Sequence, residues 1–135
     1  MHLQFAAHGQ LLGAEGARQL GHHLGRHGVL RRQGIALQPD GKIVVSATAS
    51  SNVAVLRYTA AGTLDLTFAG RGYLTEYGTT VGAPVLQSDG RILIAGGFSS
   101  TQGFVYRING YGGYDTSFGS GGQLISERCV NRIYR

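Results

Sequence analysis

The sequence predicts an all-β protein built from repeated antiparallel β-meanders. Two blocks of the chain occur twice: residues 37–45 return as residues 86–94, 49 positions later, and residues 65–68 return as 115–118, 50 positions later. The chain also contains 23 glycines without a strict triplet period, together with short runs of Val, Ile and Leu. That combination is typical of many short strands joined by tight turns. Each copy is therefore one supersecondary unit, with a one-residue length change in its middle loop.

Each copy begins with a strand that ends at an Asp-Gly pair. This pair is the strongest short-range signal for a hairpin, because both residues tolerate positive φ. Pro39 presets the turn in the first copy, and Ser88 replaces it in the second. The returning strands, residues 42–47 and 91–95, are continuous apolar runs of the kind that is buried on both faces. We expect them in the middle of a sheet.

A polar loop then leads into a third strand, at residues 53–58 in the first copy and 104–108 in the second. A glycine turn and an Asp-x-(Thr/Ser)-Phe corner follow, and they lead into a last short strand near residues 72–75 and 122–125. Such a meander does not bury both faces alone, so the copies must stack. The residues that we expect to be buried between the two sheets are Ile43, Val45, Val55, Phe68, Ile92, Ile94, Val105 and Phe118.

The array extends past the two clear copies. Residues 5–11 match residues 118–124 at the Phe, Gly, Gln and Leu positions. We therefore expect the chain to be a piece of a longer protein, marginally stable and prone to associate. The predicted division is residues 1–12 as the tail of a preceding repeat, 13–33 as a flexible Gly/His/Arg-rich insertion, 34–83 as repeat 1, 84–125 as repeat 2, and 126–135 as the start of a truncated next repeat.

The formal net charge of +5 permits binding to anionic polymers or surfaces through summed electrostatic attraction. Most of the excess lies in the flanks of the repeats rather than in a face built from them. We therefore do not expect nucleic acid as a partner. The flanking arginines are Arg18, Arg26, Arg31, Arg32, Arg128, Arg132 and Arg135.

The sequence argues against three further features: an intramolecular disulfide, a membrane span and an export signal. Cys129 is the one cysteine of the chain, so no intramolecular disulfide forms and the redox compartment is not encoded in cysteine usage. No window approaches the roughly 18 apolar residues of a membrane span. Residues 1–12 lack the charged start, apolar middle and small-residue exit of a signal peptide. The sequence predicts no membrane span and no export signal in this chain.

Asp65 and Asp115, each followed by a Thr or Ser, have two interpretations. Short carboxylates beside hydroxyls bind hard cations, but one carboxylate per copy does not match an EF-hand. The favoured interpretation is that each Asp caps its turn through backbone N–H groups, while Phe68 and Phe118 fill the space between the sheets. We expect no metal and no cofactor here.

Arg57 and Arg107 recur at the end of the third strand. One interpretation pairs each guanidinium with the repeated Asp of the same or the next unit, which would fix the corner. The other presents a ring of arginines to an acidic ligand. We favour the structural pairing, because it explains the repeated Arg and the repeated Asp together.

All five histidines lie within the first 27 residues. His22, His23 and His27 include an i, i+4 pair that suits zinc binding on one face of a helix. Gly21 and Gly25 flank this cluster, and neither Cys nor Glu supplies a third ligand in a fixed frame. We favour a solvated, partly disordered segment without metal.

With these residues in place, the repeat resembles the delta-60 repeat, a bacterial family with units close to Gln-Pro-Asp-Gly-Lys-Ile-Val-Val-Ala-Gly, then Arg-Tyr, then Gly-x-Leu-Asp-x-Thr-Phe-Gly-x-Gly-Gly. The resemblance covers residues 35–125. The signature positions are Gln38, Asp40, Gly41, Arg57, Asp65, Phe68 and Gly72 in the first copy, and Gln87, Asp89, Gly90, Arg107, Asp115, Phe118 and Gly122 in the second.

The resemblance implies β-propeller-like blades in large bacterial proteins that are often exported or cell-surface proteins, and it supplies no catalytic residues. A propeller needs roughly four to eight blades, so two copies do not close a ring. The expected partners are further repeats of the same protein or other copies of this chain.

We expect a non-catalytic structural or binding module of a larger bacterial protein, with a protein or a glycan as its ligand. The chain has no Ser-His-Asp, phosphate-loop or dinucleotide signature. Two alternatives stay open. One is a propeller enzyme, a lyase or hydrolase with its site in missing blades, and the other is a basic module that binds anionic polymers.

Overall fold

A computed structural model describes residues 31–49 and 51–127, which form two antiparallel sheets and no closed barrel. Sheet 1 contains, in spatial order, β1 (Arg31–Leu37), β2 (Ile43–Ala49), β3 (Asn52–Tyr58) and β4 (Tyr73–Tyr77). Sheet 2 contains β5 (Thr80–Val81), β6 (Val85–Leu86), β7 (Ile92–Gly97), β8 (Gln102–Ile108) and β9 (Gln123–Glu127), with β5 and β6 both paired to β7. A short 3-10 turn, Phe68–Gly70, precedes β4. The predicted all-β class of repeated antiparallel meanders is confirmed.

The Asp-Gly pairs lie at equivalent hairpin tips, as predicted. The expectation that both residues use their tolerance of positive φ is wrong, because only the glycine of each pair has a positive φ. Gly41 has a φ of 91°, and its N–H donates to the Gln38 carbonyl oxygen over 2.9 Å. Asp40 does not adopt positive φ. Its carboxylate instead accepts the Lys42 N–H at 3.0 Å, which is an Asx-type turn. The second copy repeats this arrangement with Gln87, Asp89, Gly90 and Arg91.

Each sheet has two different faces, because successive strand residues point to opposite sides. We call the side that carries the repeated arginine, Arg57 in sheet 1 and Arg107 in sheet 2, the arginine face. The arginine face of sheet 1 packs on the opposite face of sheet 2. This junction contains one buried cluster that includes Val44, Val53, Val55 and Phe68 from sheet 1 and Ile92, Ile94, Phe104, Tyr106 and Ile108 from sheet 2.

Four of the eight residues that we expected between the sheets lie there, and four do not. Val55, Phe68, Ile92 and Ile94 belong to the junction cluster. Val45, with Ile43 packed beside it, belongs to a second cluster on the other face of sheet 1. Val105 and Phe118 are only half-buried. Burial of Val45 is confirmed, but the expected place of Val45 and Ile43 between the sheets is wrong, because neighbouring apolar residues such as Val44 and Val45 hide which of them faces the partner sheet. For Val105 and Phe118 the expectation is wrong because they lie on the arginine face of sheet 2, on which no further sheet packs within the described residues.

Burial of the returning strand on both faces is confirmed in sheet 1 and wrong in sheet 2. Residues 44–47 of β2 are 0% exposed. In β7, by contrast, Ala95 is exposed and Leu93 is half-buried. Both lie on the arginine face of sheet 2, on which no further sheet packs within the described part of the chain.

The strand limits differ slightly from the predicted division. β1 begins at Arg31, inside the predicted insertion, and β5 pairs with β7 although it precedes residue 84. β9 extends to Glu127, past the predicted end of repeat 2 at residue 125. The predictions for residues 1–12, for most of 13–33 including the histidine cluster, and for the final eight residues with Cys129 lie outside the described residues.

Candidate functional site

The site that the sequence singled out is the corner between β3 and β4, built around Asp65. One carboxylate oxygen of Asp65, Oδ1, accepts the Thr67 N–H at 3.1 Å and the Thr67 hydroxyl at 2.6 Å. The Phe68 N–H donates to the Asp65 carbonyl oxygen at 3.0 Å. The side chain therefore caps its own turn and places Phe68, 0% exposed, in the sheet junction.

Arg57 joins this corner to the next sheet. Its Nε donates to Asp65 Oδ2 at 2.9 Å, and both side chains are 6% exposed. Its guanidinium carbon lies 4.7 Å from the centre of the Phe68 ring, in cation–π geometry. Its Nη1 donates to the carbonyl oxygen of Gly110, in the turn after β8. One side chain thus contacts the turn, the aromatic residue and the neighbouring sheet.

The second copy forms the same corner, but in the described residues its arginine makes no hydrogen bond to a neighbouring sheet. Asp115 Oδ2 accepts Arg107 Nε at 2.8 Å and Oδ1 accepts the Ser117 N–H and hydroxyl, while the Arg107 guanidinium carbon lies 4.8 Å from the Phe118 ring centre. Arg91 Nε lies 2.6 Å from Asp115 Oδ2. The Nη atoms of Arg107 have no hydrogen-bond partner in the described part of the chain.

A second cation at each Asp was not anticipated from the sequence. Lys42 Nζ lies 3.5 Å from Asp65 Oδ2, and Arg91 occupies the same position in the second copy. Both residues directly follow the Asp-Gly pair, so a repeated basic residue after the hairpin was the available signal. Their long side chains carry a positive charge from the hairpin to the corner.

The electrostatics keep both carboxylates ionised. Burial acts to raise the pKa of Asp65, but the hydrogen bonds from Thr67 and the charge of Arg57 outweigh it, and the pKa lies below its ordinary value. The Ser117 hydroxyl bond is the main cause that lowers the pKa of Asp115 to about 2. A carboxylate that is fully occupied by donors and ionised at neutral pH is poorly suited to act as a general acid or base.

Repeated glycines complete each corner. Gly72 and Gly122 both have a φ of 97°, and their N–H groups donate to the carbonyl oxygens of Phe68 and Phe118 at 2.7 and 2.9 Å. A Cβ on Gly72 would lie 2.5 Å from Leu64. Only glycine fits both this backbone conformation and this space.

Several polar contacts across the junction were not anticipated. The Ser46 hydroxyl donates to the Gly82 carbonyl oxygen at 2.7 Å, and the Ala69 N–H donates to the Tyr111 carbonyl oxygen at 2.8 Å. Ser46 has no repeated counterpart of the same type, because Ala95 occupies its position in the second copy, and the Ala69 bond is a backbone bond that does not depend on residue type. The repeat pattern therefore gave no signal for them.

Tyr114 and Glu76 form a further contact across the junction. The Tyr114 hydroxyl donates to the Glu76 carboxylate. Burial, together with this hydrogen bond, raises the pKa of Tyr114, so its phenol stays protonated and acts as the donor.

The repeated glutamines lie beside an open groove of about 400 Å³ between the two hairpin tips. The side-chain oxygens of Gln38 and Gln87 are buried and have no hydrogen-bond partner. Because these atoms are buried, they are not accessible from the groove. The groove is lined by Leu37, Gln38, Pro39, Leu86, Gln87, Ser88 and Gly90.

Metal-binding and membrane-spanning features are absent from the part of the chain that the structure describes. Within residues 31–49 and 51–127, no three His, Cys, Asp or Glu side chains are grouped so that they could hold a metal ion. No helix among these residues has the length and apolar character needed to cross a membrane.

Comparison with known proteins gives one match. Residues 38–68 and 87–118 match the model of a family described as "Domain of unknown function (DUF5122) beta-propeller". No curated protein and no solved structure matches the chain. Both matched segments run from the hairpin glutamine to the corner phenylalanine, so each contains one hairpin, two central strands and one Arg–Asp–Phe corner. The chain thus carries two blade-type repeats that match the DUF5122 beta-propeller family.

Proposed function

We propose that the chain is a non-catalytic structural and binding module of a larger bacterial protein and that its partners are further repeats of the same kind. The observation that carries this proposal is the use of the repeated polar residues. Each repeated Asp accepts hydrogen bonds from its turn and from an arginine, and each is approached by a second cation. These residues hold the corners, so neither repeated carboxylate is left free for chemistry in the described part of the chain.

The finer family assignment that we propose is the delta-60 repeat. Its support is the order of the signature residues, from Gln38 to Gly72 and from Gln87 to Gly122. The same resemblance supports export or cell-surface display, with a protein or a glycan as ligand. The match to a propeller family supports the coarser module assignment.

Binding to anionic polymers is the second candidate. Arg31 and Arg32 are exposed on β1, at the edge of sheet 1, which favours contact with a polyanion. Such binding must weaken steeply with salt, because it releases counterions. If the first proposal holds, binding to heparin or duplex DNA stays weak at physiological salt and is the same in an Arg31→Ala, Arg32→Ala double variant. Tight, salt-sensitive binding that this variant loses would favour the second candidate.

A double-mutant cycle on Arg57 and Asp65 tests the structural role of the corner. Arg57→Gln and Asp65→Asn should each lower the free energy of unfolding, with a coupling of about 1–3 kcal/mol because the two groups bond each other. The same variants should be compared with the parent on a panel of polysaccharides. Turnover by the parent that disappears in a folded Asp65→Asn variant would contradict the non-catalytic proposal, and it would place a catalytic site in this chain rather than in missing blades.

A further inference from the structure

The junction between the two sheets shows which contacts the arginine face of sheet 1 makes with the sheet that packs on it. Val44, Val55 and Leu74 supply apolar contact to sheet 2 from β2, β3 and β4. Two of the hydrogen bonds across the junction reach the turn after β8: Arg57 donates to the Gly110 carbonyl oxygen, and the Ala69 N–H donates to the Tyr111 carbonyl oxygen.

The arginine face of sheet 2 has apolar residues at three corresponding register positions around the repeated arginine, while Gly103 and Ala95 stand where sheet 1 has Val53 and Ser46. Val44 pairs with Arg57 and Val55 with Leu74 in sheet 1. In sheet 2 the corresponding pairs are Leu93 with Arg107 and Val105 with Leu124. Gly119, with a φ of 58°, takes the place of Ala69, with a φ of 55°. The two faces therefore share three apolar positions around the same Arg–Phe pair.

The second of these faces is not covered by any sheet of the described part of the chain. Val55 is 1% exposed and Phe68 0%, whereas Val105 and Phe118 are half-buried and Leu124 is 52% exposed. Its two polar anchors are also unused: neither the Arg107 Nη atoms nor the Gly119 N–H has a hydrogen-bond partner among the described residues. An apolar surface with two aligned, unpaired donors is a surface that lacks its partner.

We propose that the arginine face of sheet 2 is a docking surface for one further blade-type sheet. That sheet packs on it with the face opposite its own arginine face, as sheet 2 packs on sheet 1. Arg107 and the Gly119 N–H donate to two successive backbone carbonyls of the turn that follows the third strand of the incoming sheet. This inference rests on the proposed function, and it names the partner surface and its polar anchors.

The occupant is a further blade rather than a second copy of this chain. An incoming sheet must present its face opposite the arginine face, as sheet 2 does with Ile94, Phe104 and Tyr106. In sheet 1 the corresponding residues are at most 5% exposed, so that face is not free to dock. Those buried residues are Val45, Ala47, Ala54, Leu56, Tyr58 and Tyr73.

The test uses the full chain with residues 78–127 duplicated in tandem directly after Glu127. The first copy of Leu124 then faces the added blade, while the second copy stays on an open face and serves as the matched control. Leu124→Asp in the first copy should lower the melting temperature by several degrees, because it places a charge in a closed apolar junction. The same substitution in the second copy should lower it by less than about one degree.

Tryptophan fluorescence tests the docking surface independently of changes in stability. The chain contains no tryptophan, so Leu124→Trp reports its own surroundings. Its emission should be blue-shifted and protected from acrylamide in the first copy, and red-shifted and quenched in the second. Arg107→Gln in the first copy should lower the melting temperature more than the same change in the second copy.

Equal emission and equal melting shifts for the two copies overturn the docking proposal. Loss of a dimer of the parent chain on Leu124→Asp also overturns it, because a second copy would then be the occupant. Neither result affects the Arg57–Asp65 cycle, so the docking surface and the structural role of the corners fail separately.

Discussion

At the scale of single residues, Arg57 and Arg107 differ although their local surroundings are the same. Each pairs with an Asp eight positions later and covers a Phe ring. The Arg57 side chain is 6% exposed and the Arg107 side chain 22%, because within residues 31–49 and 51–127 a sheet packs over Arg57 and none packs over Arg107. The same local bonds should therefore contribute unequally to the free energy of unfolding in the two copies.

The two phenylalanines allow this difference to be measured. Phe68→Ala should lower the free energy of unfolding by about 3 kcal/mol, because it leaves a cavity in the junction. Phe118→Ala should cost clearly less, since that ring is half-buried. Urea titration of both variants checks this. Equal losses would show that the junction does not determine the contribution of the ring.

Acid stability depends on Asp115, whose pKa is lowered to about 2 from an ordinary value of about 3.9. A carboxylate with a depressed folded-state pKa stabilises the fold fully above the unfolded-state pKa, and this stabilisation is lost as the pH falls through the folded-state value. Ser117→Ala should raise that pKa and move acid unfolding to higher pH. Melting curves between pH 5 and 2 test this, with Thr116→Ala, an exposed neighbour, as the control. The same acid midpoint in both variants would contradict the role of the hydroxyl.

At the scale of elements, the turn after β8 contacts the 3-10 turn of sheet 1. Gly112 has a φ of 96°, and a Cβ there would lie 2.5 Å from the Ala69 nitrogen. Gly90 has a φ of 90° with no neighbouring atom within 4 Å. Substituting each glycine by alanine therefore distinguishes the effect of backbone strain, which both positions share, from the effect of contact between the sheets, which applies to Gly112 alone of the two.

Gly112→Ala should destabilise the protein more than Gly90→Ala. Both variants incur left-handed strain of about 1–2 kcal/mol. Gly112→Ala adds a clash that displaces the Ala69–Tyr111 hydrogen bond, with a further cost of about 1–3 kcal/mol. Denaturant unfolding of the two variants gives the difference directly. If the two variants unfold alike, the close approach of these turns does not contribute to stability.

The ends of the strands could be predicted from the turn residues, but not from the pattern of apolar residues. The Asp-Gly pairs located the hairpins, because only glycine adopts the positive φ there without cost and the Asp caps the turn. The phase of the strands was harder to predict. Val44 and Val45 are both apolar and both buried, so the pattern does not tell which of them faces the neighbouring sheet.

At the scale of the whole molecule, the two sheets share one buried cluster. Neither sheet keeps this cluster buried alone, so the sheets should unfold together. Ile94→Ala in sheet 2 should therefore lower the opening free energy of amides in β3 and in β8 by the same amount. Native-state hydrogen exchange measures both. A loss confined to β8 would mean that the sheets are independent units.

The sequence by itself determined the repeat unit and the hairpins, and it favoured an Arg–Asp pair at each corner without deciding whether the Asp belongs to the same or the next unit. These depend on residues a few positions apart, and their hydrogen bonds form within one unit. The tertiary structure decided which face of each sheet is covered, and hence why Arg57 is buried with a partner in the next sheet while Arg107 is not. The physical reason is that burial depends on the neighbouring sheet, which is encoded elsewhere in the chain, whereas a turn carries its own donors and acceptors.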